Sequence, residues 1–418
     1  MNKMNNTERI LGYKCVGCGE EYPVEPFIYQ CPKCKTNLDV LYNYDLIREI
    51  WSVDDLKQFP YQSLWRYHPL LPVNNPPENL SMRSGGTPLV SFPNIQTDVG
   101  KINLYVKDDT RNPSGSLKDR ATEIGIRHAE ELGQNTIVAA STGNAAASLA
   151  ALAAYYEKKA VILAPASAPP AKLTQILQYG AILYPVDGTY DDAFDLSMLV
   201  AKANDWYSRS TGINPVLAEG KKTVGLEIAE QMNWQVPDKI LVPTGDGCII
   251  AGIYKAFLDL VRLGWISKLP QLIAVQAAGS AAIVNALESG KPMKSVKSNT
   301  VADSISVDLP RDGDKALQAV QKTKGYGITV TDEEILTAQH RLAKNTGIFA
   351  EPAAAASFAG FLKSMKIGKI EAGESIVILA SGTGLKDIPA AQKKINIPKA
   401  QPKSLEGFLS FYNDNISK

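Results

Sequence analysis

From about residue 100 onward, short apolar runs alternate with longer stretches whose apolar positions recur at helical spacing. "TIVAAS" (136–141), "KAVILAP" (159–165), "GAILYPVDG" (180–188), "KILVPTG" (239–245), "QLIAVQA" (271–277) and "SIVILASG" (375–382) read as buried strands. The stretches between them, such as "NAAASLAALAAYYEK", "AKLTQILQYG" and "VTDEEILTAQHRLAKNTG", predict helices. Near-continuous apolar strands alternating with helices imply parallel sheets covered on both faces. The class is therefore α/β, and the span suffices for two open parallel sheets. Ahead of it, "DLIREIWSVDDLKQFPYQSLWRYHPLLPVNNPPENL" is charged, aromatic and marked by prolines, so it reads as a wrapping segment or linker.

Length and charge narrow the function classes. A chain of 418 residues suggests about two or three domains. Lys+Arg 44 against Asp+Glu 43 leaves no basic excess for nucleic acid and no acidic tail. The polar start "MNKMNNTERI" lacks a signal-peptide core, and no apolar run reaches the roughly 20 residues of a membrane span. A cytoplasmic protein without nucleic-acid or membrane partners is expected. The three histidines, His68, His128 and His340, lie far apart and away from other metal-ligand types. Histidine chemistry is unpromising, and weight shifts to lysine.

Four of the five cysteines form one pattern: Cys15-x-x-Cys18, twelve residues, Cys31-x-x-Cys34. Two such turns can complete a tetrahedral zinc site, whereas two disulfides conflict with a cytosolic chain. Tyr22, Phe27, Ile28 and Tyr29 between them can pack a small β ribbon. A four-cysteine site has no open position, so a zinc there is structural.

In open α/β sheets ligands bind at the carboxyl ends of strands, and four loops there carry chemistry. "RNPSGSLKDR" puts Lys118 in the first turn of a helix, whose positive end lowers an ammonium pKa somewhat. Such a lysine can attack a carbonyl, although an exposed helix-start cation is the bland alternative. "ASTGNAAA" offers Ser141, Thr142, Gly143 and Asn144 at a helix N-terminus, either an anion site or a simple cap. "VPTGDGCIIAG" presents Gly245, Asp246, Gly247, Cys248 and Ile249 as a cup for a phosphate. It is not a GxGxxG fingerprint, because Ile250 stands where the third glycine belongs, and no GK[ST] follows. Cys248 reads as a small packed residue. "ILASGTGLKD" ends a strand in Ser381, whose hydroxyl can reach a cofactor ring nitrogen.

Taken together with these loops, the chain resembles the threonine synthase family of fold-type II pyridoxal-phosphate enzymes. The matching pieces are "NPSGSLKDR", "STGNAAASLAA", "KLTQILQYGAILYPVDGTYDDA", "TVGLEIAEQM", "VTDEEILTAQ", "GIFAEPAAAASFAG" and "SGTGLKD". The cysteine ribbon and "LWRYHPLLPV" are similar to the longer members. The resemblance implies a tryptophan synthase β-like fold. In it, a zinc-ribbon-like segment spans 1–45, a large cofactor domain 46–130 and 226–418, and a small α/β domain 131–225. It further implies that Lys118 forms the Schiff base with pyridoxal 5'-phosphate and that Asn144 bonds the 3′ oxygen. The 245–249 loop would hold the phosphate, and Ser381 would face the ring nitrogen. Ser141, Thr142 and Gly143 would receive the carboxylate of a small amino-acid substrate. Homodimers are usual for the family.

The resemblance is weakest at the second phosphate, that of O-phosphohomoserine. Ala145-Ala146 replace the usual Thr-Ser, and Leu217 in "TGINPVL" stands where the family has an arginine. Asp246 replaces an asparagine, and Ser-Gly-Thr-Gly replaces Thr-Gly-His-Gly. Losing the arginine removes a bidentate phosphate clamp. Two expectations follow. Either the chain is a threonine synthase whose phosphate ligands lie elsewhere, with Lys107, Arg120, Lys221 and Lys222 as candidates, or it performs β-elimination or β-replacement on another amino acid. The latter would be serine/threonine dehydratase-like or cysteate synthase-like.

Overall fold

The computed structural model describes residues 6–416 apart from 60–61, 78–82, 93–100, 169 and 211. Parts of the proline-marked connector, at 60–61 and 78–80, therefore lie outside the described residues. The amino-terminal ribbon consists of β1 (Ile10–Cys15), β2 (Glu21–Tyr22) and β3 (Leu38–Tyr42), antiparallel in the order β2-β1-β3. The strands that follow are β4 (Leu89–Phe92), β5 (Asn103–Asp108), β6 (Thr136–Ala140), β7 (Lys159–Pro165) and β8 (Ile182–Val186). Then come β9 (Tyr207–Ser208), β10 (Lys239–Pro243), β11 (Gln271–Ala277), β12 (Tyr326–Val330) and β13 (Ser375–Ala380). They build a six-stranded sheet, β12-β11-β10-β13-β5-β4, and a four-stranded sheet, β8-β7-β6-β9. All their pairings are parallel except β4 with β5.

Alternation along the six-stranded sheet divides the core. Ile240, Val242, Leu272, Ala274, Val377 and Leu379 face one cluster, while Leu241, Ile273, Val275, Ile376 and Ile378 face the other. Tyr13, Leu38, Val40 and Tyr42 of the ribbon belong to the first cluster. The ribbon is thus docked on the large sheet's helix layer through buried apolar surface. The connector wraps the same body with short helices at Tyr44–Ile50 and Val53–Gln58 and a 3-10 turn at Leu64–Leu70, burying Leu64, Trp65 and Tyr67.

Two expectations change. The run at 180–188 is not a buried strand: β8 is an edge paired only to β7, with Ile182 56% and Tyr184 55% exposed. The large sheet is mixed, and its strands β4, β5 and β12 lack continuous apolar runs. β5 carries the buried Lys107 and Asp108 near its carboxyl end, and β12 is a half-buried edge. Among the described residues no helix is long and apolar enough to cross a membrane.

Six helices position the site: α1 (Lys118–Glu131), α2 (Asn144–Tyr155), α3 (Pro215–Gln231), α4 (Cys248–Leu263), α5 (Gly313–Lys322) and α6 (Pro352–Lys366).

Candidate active site

Lys118 is the first residue of α1, and the turn before it is built rather than merely tolerated. The Asp119 carboxylate accepts the Ser114 N–H at 2.6 Å and the Ser114 hydroxyl at 2.5 Å. Gly115 sits at φ +79°, where a Cβ would stand 2.8 Å from a Thr383 methyl. The Leu117 N–H donates to the Ser381 carbonyl at 2.9 Å, and Ser116 forms an antiparallel bridge with Gly382. The lysine turn and the 381–384 loop are thereby stitched together beyond neighbouring strands β5 and β13.

Lys118 keeps only part of its surface accessible, and its ammonium is pushed down to about 8. Burial is the main cause, followed by the Lys221 charge; Arg209 acts in the same direction, while Cys248 and Glu351 oppose it. The lowering expected from the helix end thus has other causes in the structure. An amine near 8 has a substantial neutral, nucleophilic fraction at physiological pH.

Asn144 opens α2, and its Nδ2 donates to Glu351 Oε1 at 2.8 Å and to Ser304 Oγ at 3.3 Å. Burial raises the Glu351 carboxyl, against the charges of Lys386 and Lys118. Gly382 has no room for a side chain: a Cβ would lie 2.6 Å from Glu351 Oε1 and 3.2 Å from Asn144 Nδ2. Lys118, Asn144, Glu351 and the 381–382 step therefore converge. Glu351, Ser304 and Lys386 were missed by the sequence reading. The one available signal was an acid set alone in the apolar segment "GIFAEPAAAASFAG".

A cavity of about 580 Å³ adjoins this cluster, with Ser114, Thr142, Gly143, Asn144, Glu351 and Lys386 among its walls. Gly143 is the N-cap of α2, no side chain caps that end among the described residues, and a Cβ on Gly143 would meet nothing within 4 Å. The Ser141 hydroxyl accepts the Gly143 N–H at 3.2 Å. The Lys386 ammonium is buried without a hydrogen-bond partner among the described residues.

The second cup leaves β10. Gly247, at φ +91°, caps α4 in a left-handed conformation, and a Cβ there would press on the Asp312 carbonyl at 2.7 Å. No side chain caps α4 among the described residues, so its first N–H groups remain open. Asp246 aims its carboxylate at the Arg311 N–H, 3.2 Å away. Burial raises its pKa, opposed by that bond and by nearby cations. Cys248 is a packed thiol that burial pushes up to about 12, and Ile249 packs against the core.

The buried cations divide sharply. Lys107 Nζ meets Glu227 Oε2 at 2.6 Å, and Arg120 meets Asp109 at 2.7 Å and Glu227 at 2.6 Å. Lys222 meets Asp259 at 2.8 Å and also Glu219. These three are occupied by carboxylates. Lys221, only 1% exposed, forms no ion pair or hydrogen bond among the described residues. It lies beside Cys248 at the head of α4, and its charge acts on Lys118, Asp246 and Cys248. A buried ammonium beside an open helix N-terminus, with no carboxylate in direct ion-pair contact among the described residues, suits a phosphate, which fits both. Leu217 is fully buried and packs on Gly125 of α1. Burial pushes His68 and His128 down to about 4, leaving them neutral packing residues.

In the ribbon, the sulfurs of Cys15, Cys18, Cys31 and Cys34 all lie within 4.8 Å of one another as free thiols. Cys15 and Cys34 are 3.3 Å apart, and Cys18 and Cys31 are 3.7 Å apart. Four sulfurs held about 2.3 Å from one ion stand roughly 3.8 Å from each other, so the donor set suits zinc.

A family model of pyridoxal-phosphate dependent enzymes matches residues 80–382. The chain is 40% identical over 381 residues to a threonine synthase of Methanocaldococcus jannaschii, covering 90% of this chain and 93% of that protein. It is 41% identical over 377 residues to a threonine synthase of Methanosarcina acetivorans, covering 90% and 92%. Among solved structures, a fungal L-serine ammonia-lyase from Rhizomucor miehei shares the fold. Its TM-score is 0.63 at 20% identity, over 73% of this chain and 96% of that one.

Proposed function

Because the chain belongs to the threonine synthase family of pyridoxal-phosphate-dependent enzymes, we propose that it converts O-phosphohomoserine and water to threonine and phosphate. It is a lyase of the threonine synthase type with the fold-type II α/β architecture. Pyridoxal phosphate, when bound, supplies the electron sink for chemistry at the amino-acid carbons. Lys118 holds it through the side-chain amine and moves protons at the substrate Cα and Cβ. The N–H groups of 245–249 and the Lys221 ammonium take its phosphate. Asn144, oriented by Glu351, serves the 3′ oxygen, and the Ser381 hydroxyl serves the ring nitrogen. Ser141, Thr142 and Gly143 receive the substrate carboxylate. The observation that carries this reading is the partly covered Lys118, its amine lowered to about 8, near Lys221 at the head of α4, which is unpaired among the described residues.

For the substrate's own phosphate, the supporting feature is the partnerless Lys386 ammonium on the cavity wall. It offers a cation where Leu217, sealed into the core, cannot. A second reading, elimination or replacement on another amino acid, is favoured by the acids that share that wall: Asp303, Glu351 and Asp387. Acids suit a zwitterion better than a substrate carrying an added phosphate. On either reading the enzyme works in the cytoplasm as a homodimer, with a structural zinc in the ribbon.

Purified enzyme offered O-phosphohomoserine is expected to release phosphate and threonine in equal amounts. No phosphate release, together with turnover of serine, threonine or phosphoserine, would move the assignment to the second reading. Metal analysis of protein purified without chelators is expected to find about one zinc per chain.

A further inference from the structure

The ribbon reaches the active-site loop through one side chain. Asn37, three residues beyond Cys34, is buried, and its Nδ2 lies 2.6 Å from the Gly212 carbonyl, 2.8 Å from the Arg311 carbonyl and 2.7 Å from Asp312 Oδ1. Two N–H bonds thus serve three acceptors on two segments far away in sequence. Those segments hold the cup at the head of α4. The Arg311 N–H donates to Asp246 Oδ1 at 3.2 Å, and the Asp312 N–H donates to the Asp246 carbonyl at 2.9 Å. Gly212 approaches so closely that a Cβ would lie 3.0 Å from the Arg311 side chain and 3.7 Å from Cys248 Sγ.

On its other side, Asn37 is gripped by both cysteine knuckles. Its carbonyl accepts the Val16 N–H at 3.1 Å, inside Cys15–Cys18. Its Oδ1 accepts Gln30 Nε2 at 3.3 Å, next to Cys31, whose N–H bonds the Thr36 carbonyl at 2.9 Å. The neighbouring residues reinforce the same link. Lys315 of α5 donates to the Leu38 carbonyl at 3.1 Å and pairs with Asp39 at 2.6 Å. A continuous set of bonds therefore runs from the cysteine knuckles through Asn37 to Asp246, the residue before Gly247.

We infer that Asn37 is a positioning residue through which the four-cysteine cluster keeps the 245–249 loop in its phosphate-binding shape, so that zinc in the ribbon sets cofactor affinity. This rests on the reading that the loop takes the cofactor phosphate. Removing the amide strands two buried carbonyls and a carboxylate at the base of the cup. Losing the metal releases the knuckles that hold the amide. Both changes loosen the same loop, so their effects overlap rather than add.

The test titrates pyridoxal phosphate into the full-length apoenzyme, following the yellow absorbance, with and without prior stripping of zinc by a chelator. Asn37→Ala is expected to weaken binding about tenfold while retaining the wild-type zinc content and far-ultraviolet circular dichroism. Asn37→Asp, which keeps the size but faces the Asp312 carboxylate, is expected to lose at least as much. Stripping zinc from wild type is expected to weaken binding to a similar extent, and stripping it from Asn37→Ala to add less than about twofold. Wild-type affinity in Asn37→Ala, or a full additional loss on stripping that variant, would overturn the proposal. Lys221→Met in parallel separates the causes. Loss there with none in Asn37→Ala defeats the ribbon link alone, whereas no loss in either defeats the phosphate-loop reading beneath it.

Discussion

Lys221 and Lys222 are neighbours on α3, and both are buried, yet their surroundings are opposite. Lys222 points into a cage of Glu219 and Asp259, with the ring of Tyr42 4.4 Å from its ammonium. Lys221 lies beside Cys248 at the start of α4 and its charge acts on Lys118, with no carboxylate paired to it among the described residues. The same contrast extends outward, with Arg120 and Lys107 paired to Asp109 and Glu227 on one side and, among the described residues, Lys221 and Lys386 without an ion pair on the other. A buried charge is tolerated when it is paired, so an unpaired one marks a place kept for a ligand's charge. Burial alone therefore does not separate structural from functional cations; their counter-ions do.

Breaking the paired group gives the largest expected effect. Arg120→Met leaves the buried Asp109 and Glu227 short of their partner, and urea unfolding is expected to show a loss of about 3–5 kcal/mol. Unchanged stability would mean the network is not structural. Its pH dependence has a definite sign. Arg120 and Lys107 hold the Glu227 carboxyl well below its usual range despite burial. Its contribution is thus present above the ordinary carboxylate pKa and is lost as pH falls toward the lowered value. Lys221→Met, by contrast, is expected to leave apoenzyme stability unchanged or raised and to weaken pyridoxal phosphate by about ten- to a hundredfold in an absorbance titration. A stability loss like that of Arg120→Met would erase the distinction.

Smaller effects sharpen the picture at the site. With the Lys118 amine lowered to about 8, only its neutral form attacks, so the second-order rate of cofactor capture by apoenzyme rises with pH. Stopped-flow absorbance is expected to give a roughly fivefold increase from pH 7 to 8 and to flatten above that. A rise that continues toward pH 10 would place the amine at its ordinary value. Asp246→Asn tests the direction of the Asp246 side chain. Since its carboxylate faces the Arg311 N–H, cofactor affinity is expected to change less than about threefold, whereas removal of a charge facing the phosphate would raise it tenfold or more.

The sequence made legible what is local. The apolar strands β6, β7, β10, β11 and β13 announce themselves because both faces of their sheets are covered. The edge strands β8 and β12 mislead in opposite ways: one is apolar yet exposed, the other mixed yet part of the sheet. The loops at 114–118, 141–144, 245–249 and 381–384 were readable because turns and helix starts are written in consecutive residues. Which lysine is paired was not readable, since Glu227 lies more than a hundred residues from both Lys107 and Arg120. Glu351 was hidden for the same reason, its partner Asn144 being 207 positions away. Leu217, where the family carries an arginine, packs in the core against Gly125, a contact between α1 and α3 that no local spacing reveals.

The central claim is that Lys118, and not the more deeply buried Lys221, carries the cofactor. Borohydride reduction of the yellow holoenzyme followed by peptide mass mapping decides between them. The account predicts the reduced cofactor on the peptide containing Lys118 alone, and no fixed label in Lys118→Ala. Label on Lys221, or undiminished label in Lys118→Ala, would contradict it.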